Sequence, residues 1–354
     1  MAQTYDFKLL FAWIFVVGFS CNQNQRANVP NVSSIDPQTS WYRSEEQFFL
    51  GKEDSLSSYL IDCQKTQPEF YKLYFGNILG FDQRVNPRDS SFTGELRRLR
   101  HDSLTKKVLS LIQQQYGNME DIKEQIDQGA RFMRYYFPGS LPIHFYTMYN
   151  EFSVGNFIFA PDQKTEGIGI GLDFFLGNAI HYKDLDPRNS AFSEYITHSF
   201  NRDHVAKKTW EIWVEDKLGT ETGAKFIDNM IQQGKKLYIL SRILPHAQDS
   251  VLFEFSASQM RWCQENEANI WSYFLNEKLM YESDRMKFIK YVDYSPNSPG
   301  MPKEAPGRTG CFIGYQIVSS YMDRHPGISL PDLIAETSPQ KILEESKYRP
   351  RNSK

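Results

Sequence analysis

The stretch LPIHFYTMYNEFSVGNFIFAPDQKTEGIGIGL (141–172) decides how this chain folds. Three short runs within it, 141–149, 155–160 and 166–172, are rich in β-branched and aromatic residues and are parted by turn formers. Such runs read as strands, so the segment predicts a small sheet of about three strands. In the last run Ile168, Ile170 and Leu172 alternate with Gly167, Gly169 and Gly171, giving one apolar face and one face of bare backbone. The glycine face either packs tightly against a neighbour or leaves a groove in which an extended peptide lies as an added strand. It is not a phosphate loop, because a dinucleotide fingerprint needs GxGxxG opening a helix inside a βαβ unit.

On both sides of this segment the apolar spacing follows the 3.6-residue period of helices. It predicts helices over 55–78, 101–117 and 118–136 before the sheet, the last stopped by Phe137-Pro138-Gly139. After it come 191–199, 203–218, 221–243, 256–280, 284–292 and 309–325, then two short helices. Ser329 with Asp332 has the spacing of a capping box, and Ser338-Pro339 is an N-cap followed by proline at the first helical position. In GRTGCFIGYQIVSSYM (307–322), Gly310, Gly314, Ile317 and Tyr321 share a face, and paired glycines let two helices approach closely. Strands grouped between two helical halves predict an α+β fold, mostly helical around a small mid-chain sheet.

The N-terminus predicts where the chain works. Lys8 precedes an apolar run, LLFAWIFVVGF (9–19), and Ser20 leads directly into Cys21. The run is too short to span a bilayer, which takes ~20 apolar residues, and it has the parts of a secretory signal peptide. We read residues 1–20 as that signal and Cys21 as a lipidated first residue of the exported chain. Residues 21–40 then form a polar, lipid-anchored tether, and 41–354 a single α+β domain.

Composition excludes some partners. A net charge of −3 without a Lys/Arg stripe argues against nucleic acid. Aromatic residues make up 15% of the chain, which suits either a large core or a surface for sugar or protein. If Cys21 carries lipid, Cys63, Cys263 and Cys311 remain and permit at most one disulfide, with Cys263 and Cys311 on helices that could pack together.

The order of sheet, glycine-lined strand, buried helix and second helix resembles a zincin-type protease. Such an enzyme needs two histidines four apart on one helix beside a glutamate. No two histidines here have that spacing; His198 and His204, six apart, would sit about 240° around a helix axis from each other. Where HExxH belongs, the chain reads Trp210-Glu211-Ile212-Trp213-Val214, with the acid kept and indole and isopropyl groups in place of the ligands. In WCQENEANIWSYF (262–274), Glu267 falls in the middle of an apolar stripe formed with Met260, Cys263, Trp271 and Phe274. A carboxylate there must be paired, protonated or functional, and Arg308 is a candidate partner. Asn266-Glu267 also resembles the third-ligand helix of thermolysin-like zincins, but a zinc site wants at least three protein ligands. We therefore expect no metal and no cofactor. The candidate groove lies between Gly169 and Gly171 and the helices that hold Glu211 and Glu267, with Arg308 nearby.

In order along the chain, RYYFP (134–138), GIGLDFFLGNAIHY (169–182), GKKLYIL (234–240), WCQENEANIWSYF, GRTGCFIGYQIVSSYM and ILEESKYRP (342–350) resemble the gliding-motility lipoprotein GldB family of Bacteroidetes. The resemblance spans roughly residues 40 to 350. It implies an outer-membrane-associated, periplasm-facing lipoprotein working with the gliding and type IX secretion machinery. It also implies distant kinship with predicted zinc proteases whose HExxH this family lacks. Together these readings predict a non-catalytic, lipid-anchored accessory or scaffold protein acting through protein contacts. The rivals are a metal-dependent hydrolase using Glu211 or Glu267 with unusual ligands, and a glycan- or peptide-binding lipoprotein.

Overall fold

The computed structural model describes residues 29–81, 85–219 and 223–351. The expected signal peptide (1–20) and lipidation site, Cys21, therefore lie outside the described residues. Four strands form one mixed sheet: β1 (Thr39–Arg43), β2 (Ile143–Met148), β3 (Asn156–Phe159) and β4 (Glu166–Gly171), in the order β1-β2-β4-β3. β1 and β4 run parallel to β2, and β3 runs antiparallel to β4.

β2, β3 and β4 correspond to the three expected runs, while β1 was placed with the tether and the helices that follow it. Thr39 and Ser40, read as the end of that tether, begin β1, and the compact unit starts already at Asn31. A five-residue strand is stable only through its partner, and β2 lies about a hundred residues further on.

Helices cover the sheet. Before it come α1 (Leu56–Thr66), α2 (Pro68–Tyr71), α3 (Ser90–His101), α4 (Ser103–Tyr116) and α5 (Glu120–Tyr136). After it the short α6 (Tyr182–Leu185) and α7 (Glu194–Thr197) lead into α8 (Val205–Leu218), α9 (Phe226–Ile243) and α10 (Asp249–Phe253). The chain closes with α11 (Ala257–Glu265), α12 (Glu267–Asn276), α13 (Arg285–Val292), α14 (Thr309–Arg324), α15 (Leu330–Ala335) and α16 (Pro339–Ser346). The helix expected over 256–280 breaks at Asn266, whose backbone leaves helical geometry (φ −113°, ψ 17°) and starts α12 at Glu267.

Strand alternation sorts the aromatic residues onto the two faces of the sheet. On one face Trp41 stacks on Phe145 at 4.7 Å, and Trp210 of α8 meets Phe145 edge-on. On the other, Tyr42 and Phe70 stack on Tyr146 at 4.9 and 4.2 Å. The aromatic surplus is mostly core: Trp210 and Trp213 are fully buried, and among the described aromatics only Tyr59, Tyr135 and Tyr281 are substantially exposed.

The glycine strand is closed, not grooved. The rings of Phe159 and Phe157 on β3 lie against Gly167 and Gly169, where an added Cβ would fall 2.5 and 2.2 Å from ring carbons. Gly171 is crowded in turn by the carbonyls of Val154 and Gly155. Because β4 is flanked by β2 and β3, its backbone cannot accept a further strand.

In the C-terminal half α9 is buried on nearly every side, and α14 crosses it through glycine. An added Cβ on Gly314 would stand 2.0 Å from the Met230 carbonyl oxygen, and one on Gly234 2.3 Å from that of Gly314. This is the close approach expected of the glycine face of 307–322. Gly314→Ala should therefore lower the unfolding free energy by about 3 kcal/mol in urea titrations, since a packed crossing cannot absorb a methyl without shifting. Gly94→Ala, in open space on α3, should be neutral or stabilising by about 0.5–1 kcal/mol.

Candidate functional site

Helix α8 is buried over most of its length, with Glu215 and Asp216 exposed near its end. Trp210, Trp213 and Val214 are fully buried, and the indole of Trp210 reaches α5 so closely that a Cβ on Gly129 would sit 2.2 Å from its Nε1. Trp213 donates from Nε1 to Glu166 Oε2 at 2.8 Å. The two positions that would carry imidazoles in HExxH thus hold core side chains. Glu211, between them, turns away into a buried ionic cluster.

The cluster centres on Glu254, which is 3% exposed at the C-terminal cap of α10. One carboxylate oxygen, Oε1, receives Lys208 Nζ at 2.7 Å and also Lys207 Nζ. The other, Oε2, accepts from the Tyr294 hydroxyl at 2.6 Å and faces Arg308 Nη1 at 3.4 Å. Lys207 continues to Glu211 Oε2 at 2.7 Å, one helical turn along α8. Lys236, from α9, lies 3.2 Å from Glu211 Oε1 and 2.9 Å from Glu215. Burial on its own would raise both carboxyls, but the lysines around them hold both below the usual carboxylate range; Arg308 adds to this at Glu254. Both therefore stay ionised.

Backbone strain marks the same spot. Glu254 (φ +54°) and Arg308 (φ +63°) both occupy the left-handed region, where a side chain costs about 1–2 kcal/mol. Their charged groups meet across the cluster, and the Arg308 guanidinium lies 4.6 Å over the Tyr294 ring.

Two histidines reach this neighbourhood from separate short elements, so the angular argument for a single helix does not govern them. His198, at the end of α7, contacts the Glu254 carbonyl through Nε2 at 2.8 Å. His204 opens α8, pairs Nδ1 with Asn201 at 2.9 Å and leaves Nε2 buried without a partner. Burial pushes its imidazole down to about 4. Among the described residues, no group of three or more His, Cys, Asp or Glu is arranged as metal ligands.

The expected site residues separate. Glu211 and Arg308 come together through Glu254, whereas Glu267 sits elsewhere. It is 4% exposed and accepts from the Tyr348 hydroxyl at 3.0 Å and the Arg351 amide at 3.2 Å. Arg308, the anticipated partner of Glu267, faces Glu254 instead, and Glu267 fastens the C-terminal segment to α12. Gly169 and Gly171 belong to the sheet packing described above. Cys63, Cys263 and Cys311 are free and buried. Glu254, Lys207, Lys208, Lys236 and Tyr294 were not anticipated. The signals that could have found them are an acid between two phenylalanines (253–255) and a Lys-Lys pair one turn ahead of Glu211.

Residues 25–350 match the family model described as gliding motility protein GldB. No curated protein and no solved structure matches the chain.

Two outcomes test the electrostatics. Lys207→Met should cost about 3 kcal/mol in thermal or urea unfolding, because it removes the buried ammonium that donates to both Glu211 and Glu254 and takes a donor from each. The second concerns pH. His204 titrates near 4 when folded and near ~6.5 when unfolded, so the unfolded chain binds more protons in that window. Stability should fall by up to about 3 kcal/mol as pH drops from 6.5 to 4 on account of this group. Asp173, raised by burial to about 7, works in the opposite sense over much of the same range. The difference in slope between wild type and His204→Gln therefore isolates the histidine.

Proposed function

Since the chain belongs to the family of gliding motility protein GldB, we propose that it is a non-catalytic accessory or scaffold component of the gliding and type IX secretion machinery. On this reading Cys21 carries the lipid that anchors it to the cell envelope, at the outer membrane and facing the periplasm. Among the described residues no helix is long and apolar enough to cross a membrane, which is consistent with an anchor of that kind. The observation that carries the non-catalytic reading is the state of Glu211. Its carboxylate is tied to Lys207 and Lys236, and its flanking positions Trp210 and Val214 are packed into the core. A general base must be able to take up and release a proton near neutral pH, and this one is held ionised.

The test is complementation of a strain lacking the gene, reading colony spreading and the output of type IX-secreted proteins. Wild type and a folded Glu211→Gln variant should both restore them. Cys21→Ala should fail to restore them and should shift the protein from the membrane pellet to the soluble fraction. A Glu211→Gln protein that folds with wild-type Tm yet fails to complement would put a hydrolase ahead.

A further inference from the structure

Beside the ionic cluster an open pocket of about 330 Å³ is lined by Arg308, Glu254, Tyr294, His198, Ser256 and Gln259, with Tyr195, Phe255 and Pro306 completing its walls. That volume sits at the lower end of small-ligand sites. Its floor is electrostatically uneven. Lys207, Lys208, Lys236 and Arg308 face two buried carboxylates, Glu211 and Glu254, and the third acid, Glu215, is half exposed and paired with Lys236. Among the described residues the cluster thus holds four cations against three acids.

Arg308 is the cation that reaches the pocket. It is 6% exposed, and it spends one nitrogen, Nη1, on long contacts of 3.4 Å to Glu254 Oε2 and the Phe253 carbonyl. Beyond these, the partner given to the guanidinium among the described residues is the neighbouring Cys311 thiol. A planar guanidinium edge with donors to spare, desolvated and stacked on a tyrosine, is built for a bidentate oxyanion. Left-handed backbone at Arg308 holds the group in that position and is the sort of strain that gathers at ligand clamps. Hydroxyl and amide donors stand around it in Tyr195, Ser256 and Gln259, while Phe255, Pro296 and Pro306 offer apolar wall for a short carbon stem.

We propose that this pocket binds a carboxylate on a short aliphatic stem, with Arg308 as the bidentate anchor. An acidic peptide side chain and a free short-chain acid share that chemistry. Glu194, exposed at the rim, is the one carboxylate that opposes binding without a cation of its own among the described residues.

Propionate and the capped peptide acetyl-Gly-Glu-Gly-amide serve as probes of the full chain in detergent, against chloride at matched ionic strength. The readouts are Tm and the 15N-arginine Nε–H signals. Wild type should respond saturably to at least one probe. Gln259→Glu keeps the capping hydrogen bond to the Ser256 amide, so it folds, and should weaken binding about tenfold by placing a like charge in the wall. Glu194→Gln should tighten it, and Arg308→Lys should abolish it. A response to the peptide alone assigns the site to a protein partner; a response to propionate as well assigns it to free acids. No saturable response in wild type, or equal responses in wild type, Gln259→Glu and Glu194→Gln, overturns the proposal.

Discussion

Several segments of the C-terminal half meet around one carboxylate that is kept charged out of water. Taking Glu254 from solvent costs several kcal/mol, and only close opposite charge and hydrogen bonds return that cost. The groups that do so come from far apart in the chain. Lys207 and Lys208 lie on α8, Tyr294 follows α13, and Arg308 precedes α14; His198 meets the Glu254 carbonyl. A single acid thereby fastens five segments at one point. Hydrophobic contact alone would let those segments slide, since apolar burial has no direction.

The same requirement reaches Glu211, whose carboxylate joins the ionic cluster. With Trp210 and Val214 committed to the core, α8 turns Glu211 toward Lys236 of α9 and pairs it with its own Lys207 one turn earlier. Three ammonium groups, those of Lys207, Lys208 and Lys236, surround that carboxylate. Its charge is held by the lysines around it.

Local signals in the sequence carried much of this architecture, and long-range ones carried little. Strand alternation over 141–172, the capping box of Ser329 and Asp332 and the N-cap at Ser338 all formed as their spacing predicts. The glycine face of α14 found its partner in Gly234. The strands, the caps and the glycine face itself are each decided by residues within a few positions of one another, although the partner Gly234 is distant in the chain. β1 was missed because its stability comes from a strand a hundred residues away, and Asn266 because one residue leaving helical geometry barely disturbs an apolar stripe. Glu267 is buried as the apolar stripe implies, yet its partners are a tyrosine and a backbone amide near residue 350. Burial follows from periodicity; the identity of a partner does not.

Strain adds a final step. Residues in left-handed backbone are normally glycine, because glycine has no Cβ to collide with the carbonyl. Glu254 ends α10 and Arg308 begins α14, at positions where glycine would serve the turn better. Gly307 does stand immediately before Arg308, where a Cβ would meet the Ser295 carbonyl oxygen at 2.1 Å. The chain thus uses glycine where space demands it and declines it one residue later. What glycine cannot supply at that position is the guanidinium. A pair of charged side chains kept at about 1–2 kcal/mol of backbone cost each, in contact and beside an open pocket, argues that their charges are the reason the turns have this form.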